Sequence, residues 1–284
     1  MLTSVAPTVK SANAKQAAFF DLDKTVIAKS SALAFGKQFF AGGLINRRAV
    51  LKATYAQLVY MSPGADEDQI ERIRKHITAM AAGWDVEQVR AIVAETLHEV
   101  VDPLVYDEAT ELIAEHKAAG RQIVIVSSSG AEMVEPIGKM LEADHVIATT
   151  MVVEDGKYTG DVDFYAYGPH KATAMRTLAD HHGYDLAQCY AYSDSATDLP
   201  MLDAVGHPTV VNPDKTLRTI AGQKGWPVLT FRHGVSLGER FGQLSKPSKP
   251  VVASTAVGVG AAIAGIAWLS SRRHTKAHDP DNSA

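Results

Sequence analysis

Six short apolar runs recur through the middle of this 284-residue chain, separated by stretches of helical pattern. They are AAFF (17–20), QIVIVS (122–127), HVIAT (145–149), QCYAYS (188–193), PTVVN (208–212) and PVLTF (227–231). They are too short for helices and lack the in–out alternation of a strand with one wet face, so they predict strands buried on both sides. The clearest intervening segment, LVYDEATELIAEHKAAG (104–120), is amphipathic and puts Gly120 where a helix stops. Strands alternating with helices predict a parallel sheet covered on both faces, with ligands gathering at the C-terminal ends of the strands. One segment breaks the rhythm: in TTMVVEDGKYTGDV, Asp155-Gly156 between β-rich runs predicts a hairpin. Residues 31–101 carry helical patterns and no convincing strand, which predicts a helical insertion between the first strand and the rest of the sheet.

The first strand ends in an unusual way. In AAFFDLDKTVIAKSS (17–31) the apolar run meets two carboxylates, Asp21 and Asp23, with one leucine between them. Residues i and i+2 of an extended chain point to the same side, so both acids face one crevice. Like charges that close are unfavourable unless a cation neutralises them or one stays protonated. Two solvated loop acids, with Thr25 as a helix cap, are the plain alternative. Three later features weigh against it. VIVSSSG ends a buried strand in hydroxyls, Ser127 first; GPHKATAM puts Lys171 at the start of a helix; YAYSDSATDLPML ends another strand with Asp194 and Asp198. Taken singly these are a turn serine, a surface lysine and a capping aspartate. Together they place at several strand ends the groups that phosphoryl transfer needs.

The order DxDxT, strand-end Ser, Lys, SDSxxD resembles the haloacid dehalogenase-like (HAD) phosphohydrolases, and within them subfamily IB, the phosphoserine-phosphatase-like group. The resemblance covers roughly residues 15–235. It implies a Rossmann-like α/β core with a parallel sheet flanked by helices, spanning 15–30 and 102–235, and an all-helical cap over 31–101. It implies a phosphoric monoester hydrolase in which Asp21 is the nucleophile and is phosphorylated in turn. Asp23 is then the acid that protonates the leaving alcohol and the base that activates water. Asp21, the Asp23 carbonyl and Asp194 would hold Mg²⁺, a hard cation suited to oxygen ligands. Ser127 and Lys171 would bind phosphoryl oxygens, with Thr25 orienting the loop or the phosphate and Asp198 supporting the metal shell or Lys171. The cap would close over the site and select the substrate.

At one point the chain departs from the phosphoserine phosphatases. They carry an acid shortly after the first motif that pairs with the substrate amine; here the matching position is Ser30, between Lys29 and Ser31. That argues against phosphoserine as the preferred substrate. A non-catalytic membrane-bound scaffold of the same fold, or a phosphotransferase passing the group to another alcohol, are the competing functions.

The remaining expectations concern the ends. Residues 1–14 hold no continuous apolar run and read as a disordered tail. After a Ser/Lys/Pro linker (236–250), VVASTAVGVGAAIAGIAWL (251–269) is uncharged and near the length of a spanning helix, followed by a short basic and polar tail, 270–284. It predicts a single-pass C-terminal membrane anchor with the catalytic domain in the cytoplasm. The expected substrate is accordingly a phosphorylated small molecule or a lipid phosphate. Composition fits an ordinary globular core: 46% hydrophobic, 21% charged and a net charge of −4, without the basic excess that nucleic acid would call for. The single cysteine, Cys189, excludes an internal disulfide.

Overall fold

The computed structural model describes residues 15–45 and 78–232, all within Met1–Arg240, the first of the chain's two units. In chain order the elements are β1 (Ala17–Asp21), α1 (Ser31–Ala34), α2 (Gly36–Ala41), α3 (Val86–Val101), α4 (Asp107–Ala118), β2 (Gln122–Gly130) and α5 (Ala131–Met140). Then follow β3 (His145–Glu154), β4 (Lys157–Phe164), α6 (Pro169–His182), β5 (Tyr190–Ser193), α7 (Leu199–Leu202), β6 (His207–Val211), α8 (Lys215–Lys224) and β7 (Val228–Leu229). The strands form one seven-stranded sheet in the order β4-β3-β2-β1-β5-β6-β7. Every neighbouring pair is parallel except β3–β4.

The first acidic strand is the middle one, which is why its burial shows no alternation. Ala18 and Phe20 face one apolar cluster, with Val134 and Ile137 of α5 and Ile113 of α4. Ala17 and Phe19 face the other, with Met175 of α6 and Leu217 and Ala221 of α8. Each phenylalanine is at most 1% exposed, and burial of such a side chain stabilises the fold by about 2–3 kcal/mol. Helices therefore cover both faces, and the C-terminal ends of β1, β2 and β5 are left free to build a site.

All six expected strands are present, and the expected hairpin joins β3 to β4. Its turn residues, Asp155 and Gly156, have φ of 49° and 76°, the positive values that a right-twisted two-residue turn requires. α4 begins later than its amphipathic pattern because a 3₁₀ turn at Asp102–Leu104, holding Pro103, precedes it; past its end Gly120 has φ 75°. Among the described part of 31–101 the regular elements are α1, α2 and α3, and Trp84 packs on Phe39 with ring centroids 5.8 Å apart.

The membrane-anchored localisation is corrected. No helix among the described residues is long and apolar enough to cross a membrane. The longest of them, α3, has 16 residues and carries Glu87, Arg90, Glu95 and Glu99, whereas a span needs about 20 apolar residues. The run 251–269 on which the expectation rested lies outside the described residues, as do Arg47, Arg48 and Tyr55 of the insertion.

Candidate active site

Register brings the strand ends together. Asp21 on β1 pairs with Val126 on β2, so Ser127 lies one residue further along; Phe20 pairs with Tyr192 on β5, which brings Ser193 and Asp194 to the same edge. Immediately after Asp23 the chain turns back on itself. Lys24 takes φ 65°, unusual for a residue with a side chain, and the amides of Val26 and Ile27 both donate to the Leu22 carbonyl at 3.0 Å. Backbone held in a sparsely populated conformation costs free energy that its surroundings must offset, and such positions cluster at functional sites. On the opposite wall, Gly168 leads into α6 with φ 53° and ψ −127°, a conformation closed to residues with a Cβ. It sets Lys171 in the first turn of the helix.

Lys171 is the centre of a buried charge cluster. Its Nζ donates to Asp21 Oδ1 at 2.6 Å and to Asp198 Oδ2 at 2.9 Å, and Ser193 Oγ donates to the same Asp198 oxygen at 2.7 Å. Asp21, Lys171 and Asp198 are 6%, 3% and 2% exposed. Burial opposes the lysine's charge, but the Asp21 and Asp198 carboxylates outweigh it and hold the ammonium above its ordinary range. Burial pushes the Asp21 carboxyl up to about 8 against the pull of Lys171, and Asp198 and Asp194 add to the rise. Asp194 is raised to about 6, by burial first, with Lys24 pulling the other way and Asp198 adding to it. Too many acids share too few cations here.

Asp23 sits in different surroundings. Its Oδ1 accepts from the Ser31 amide and its Oδ2 from Ser129 Oγ, each at 2.9 Å. Ser31 Oγ in turn donates to Ser129 Oγ at 2.8 Å.

A family model for haloacid dehalogenase-like hydrolases matches residues 18–203. Over 261 residues the chain is 59% identical to an inhibition of morphological differentiation protein from Streptomyces azureus, covering 91% of this chain and 94% of that one. It is 60% identical over 253 residues to a probable phosphatase of Mycobacterium tuberculosis, with 89% and 87% covered. This chain is a phosphatase of the haloacid dehalogenase-like hydrolase family. A crystal structure of a Bordetella pertussis protein of unknown function superposes on the HAD phosphatase with a TM-score of 0.69 at 26% identity, covering 76% of this chain and 99% of that one.

Of the residues expected from the phosphatase's sequence, the fold joins Asp21, Lys171 and Asp198 by direct contact. Ser127 and Asp194 stand at the neighbouring strand ends. Thr25 is fully buried, and its Oγ1 has no hydrogen-bond partner among the described residues. Ser127 Oγ accepts from the Ser129 amide at 3.2 Å. Three hydroxyls were not singled out in advance: Ser31, Ser129 and Ser193. Ser129 had a signal, since in SSS (127–129) positions i and i+2 share a side of the strand, and Ser127 and Ser129 are buried while Ser128 is exposed. Ser193 is the serine of SDS. Ser31 gave none, because it meets Ser129 only across 98 residues of chain.

The donor set is compatible with Mg²⁺. Among the described residues no group of three or more His, Cys, Asp or Glu side chains is arranged to hold a metal. The expected ligands, however, are two carboxylates and one backbone carbonyl. Asp198, which shares the Lys171 ammonium with Asp21, keeps its Oδ1 buried with no partner among the described residues. Hard oxygen donors with an excess of negative charge suit a small divalent cation.

Proposed function

We propose that this phosphatase hydrolyses phosphate monoesters of small molecules by way of a phosphoryl group carried on Asp21. The buried contact of Asp21 with Lys171, at the edge where three strand ends meet, is the observation that carries the reading. Asp21 forms a bond to phosphorus as the ester P–O bond breaks, and Asp23 passes a proton to the departing alcohol oxygen. Water then gives its proton to Asp23 and attacks phosphorus, the bond to Asp21 breaks, and inorganic phosphate leaves. Lys171 and Ser127 hold phosphoryl oxygens, and Thr25 Oγ1, buried without a partner among the described residues, offers a further contact. Asp198 and Ser193 hold Lys171 in place. Asp21, Asp194 and the Asp23 carbonyl are the groups that would bind Mg²⁺, which when bound neutralises negative charge on the phosphoryl group.

Residues 15–30 and 102–235 are the catalytic core in this reading, and 31–101, of which α1, α2 and α3 are described, are the substrate-selecting cap. Ser30 is the N-cap residue of α1 and brings no carboxylate to the cap's first turn. Phosphoserine therefore lacks an amine partner there, and esters without an amine should be hydrolysed as well.

The test is phosphate release from a panel of phosphomonoesters that includes phosphoserine. Asp21→Asn should lose at least about 10³-fold, as expected when a covalent nucleophile is removed. Chelation should abolish activity and Mg²⁺ restore it. Near-normal turnover by Asp21→Asn would overturn the mechanism.

A further inference from the structure

Asp23 is enclosed in a ring of hydrogen bonds that the reaction scheme does not use. The Ser31 amide holds Oδ1, Ser129 Oγ holds Oδ2, and Ser31 Oγ closes the ring by donating to Ser129 Oγ. Both serines are buried, at 0% and 8% exposure. Turning the carboxylate about its own axis breaks two hydrogen bonds at once. We propose that Ser129 is a positioning residue for Asp23, with Ser31 behind it, fixing the direction in which the carboxylate faces the departing oxygen. This deepens the function proposed above and rests on Asp23 being its acid–base group.

Three features favour the assignment over a merely structural contact. First, the local fold aims Ser129. The register between β2 and β3 shifts between Ser127 and Gly130, and Thr149 Oγ1 anchors the Ser128 carbonyl at 2.7 Å. The Ser129 amide is also tied to Ser127 Oγ at 3.2 Å, which leaves its side chain directed at Asp23. Second, the partner is a hydroxyl. It accepts from Ser31 Oγ while donating to Asp23, linking the two in one chain of hydrogen bonds, which an ammonium or a backbone N–H, having no acceptor, could not do. Third, Ser31 opens α1, so the orientation of Asp23 is tied to the first turn after the strand loop.

The test compares kcat/KM of full-length wild type, Ser129→Ala, Ser129→Thr, Ser31→Ala and Asp23→Asn. The probes are aryl phosphates running from p-nitrophenyl phosphate, a good leaving group, to phenyl phosphate, a poor one. Positioned proton donation matters most for poor leaving groups. Ser129→Ala should lose about twofold on p-nitrophenyl phosphate and tenfold or more on phenyl phosphate, with Ser129→Thr restoring the wild-type dependence. Ser31→Ala keeps the amide and should steepen the dependence less; it decides the matter if Ser129→Ala does not fold. A uniform loss, or none, in both alanine variants while Asp23→Asn shows the dependence overturns the positioning role and leaves the acid assignment standing. If Asp23→Asn itself loses equally across the series, the acid assignment fails and the inference falls with it.

Discussion

Asp21 and Asp23 are neighbours on one side of one strand end, yet the protein surrounds them by opposite means. Asp21 is sunk among charges: Lys171 at 2.6 Å, with Asp198 on the same ammonium. Asp23 is only half-buried and is held by a backbone amide and a serine hydroxyl, with no cation on either oxygen among the described residues. The difference fits the roles proposed for the two acids. Burial raises the Asp21 carboxyl to about 8 even so, and the Lys171 ammonium opposes that rise and fixes the carboxyl in place. Asp23, the acid–base group of the proposal, meets a backbone N–H and a hydroxyl instead of a charge. Two like acids thus stand in two different surroundings, which fit the two roles proposed for them.

This contrast can be broken most forcefully at Lys171. Lys171→Met leaves two buried carboxylates without their cation and should destabilise the fold by about 3–5 kcal/mol in denaturant titration. Asp23→Asn should cost less than about 1 kcal/mol, since its neutral partners lose no charge compensation. Comparable losses would mean that the two environments do not differ as described. A double-mutant cycle on stability sharpens the point. Asp21→Asn with Lys171→Met should show a coupling of about 2 kcal/mol, and Asp23→Asn with Ser129→Ala about 0.5 kcal/mol.

A further effect lies behind the site, where His116 packs edge-on against Phe20 of the same strand. It is held by the Tyr192 hydroxyl at 2.8 Å, again a neutral partner. Burial and then the Arg121 charge lower its pKa to about 4. Because the unfolded histidine binds a proton near pH 6.5 and the folded one does not, stability falls as pH drops below about 6.5 towards 4. Wild type should lose about 1 kcal/mol between about pH 7 and 5.5 that His116→Phe does not lose. Equal pH slopes in the two proteins would show that His116 is charged in the fold.

The strands were legible because β1, β2 and β5 are buried almost throughout, and an apolar run too short for a helix suits a strand covered on both faces. Asp21, Asp23, Ser127, Lys171, Asp194 and Asp198 were legible as a set because strand ends in such a sheet converge. The uncharged run 251–269 shows the weakness of the same method. Composition alone suggested an anchored protein, whereas among the described residues no helix is long and apolar enough to cross a membrane.

What the chain's own residues determined is local: where each strand stops, that the i and i+2 acids share a side, that Asp155-Gly156 turns, that a serine run leads into α5. Extended geometry and backbone sterics act over a few residues, so a sequence carries them directly. Tertiary structure alone decided the partners. Lys171 reaches Asp21 across 150 residues, and Ser129 reaches Asp23 across 106. Those meetings depend on the strand order β2-β1-β5 and on the register within it, since a shift of one residue would turn each side chain to the other face of the sheet.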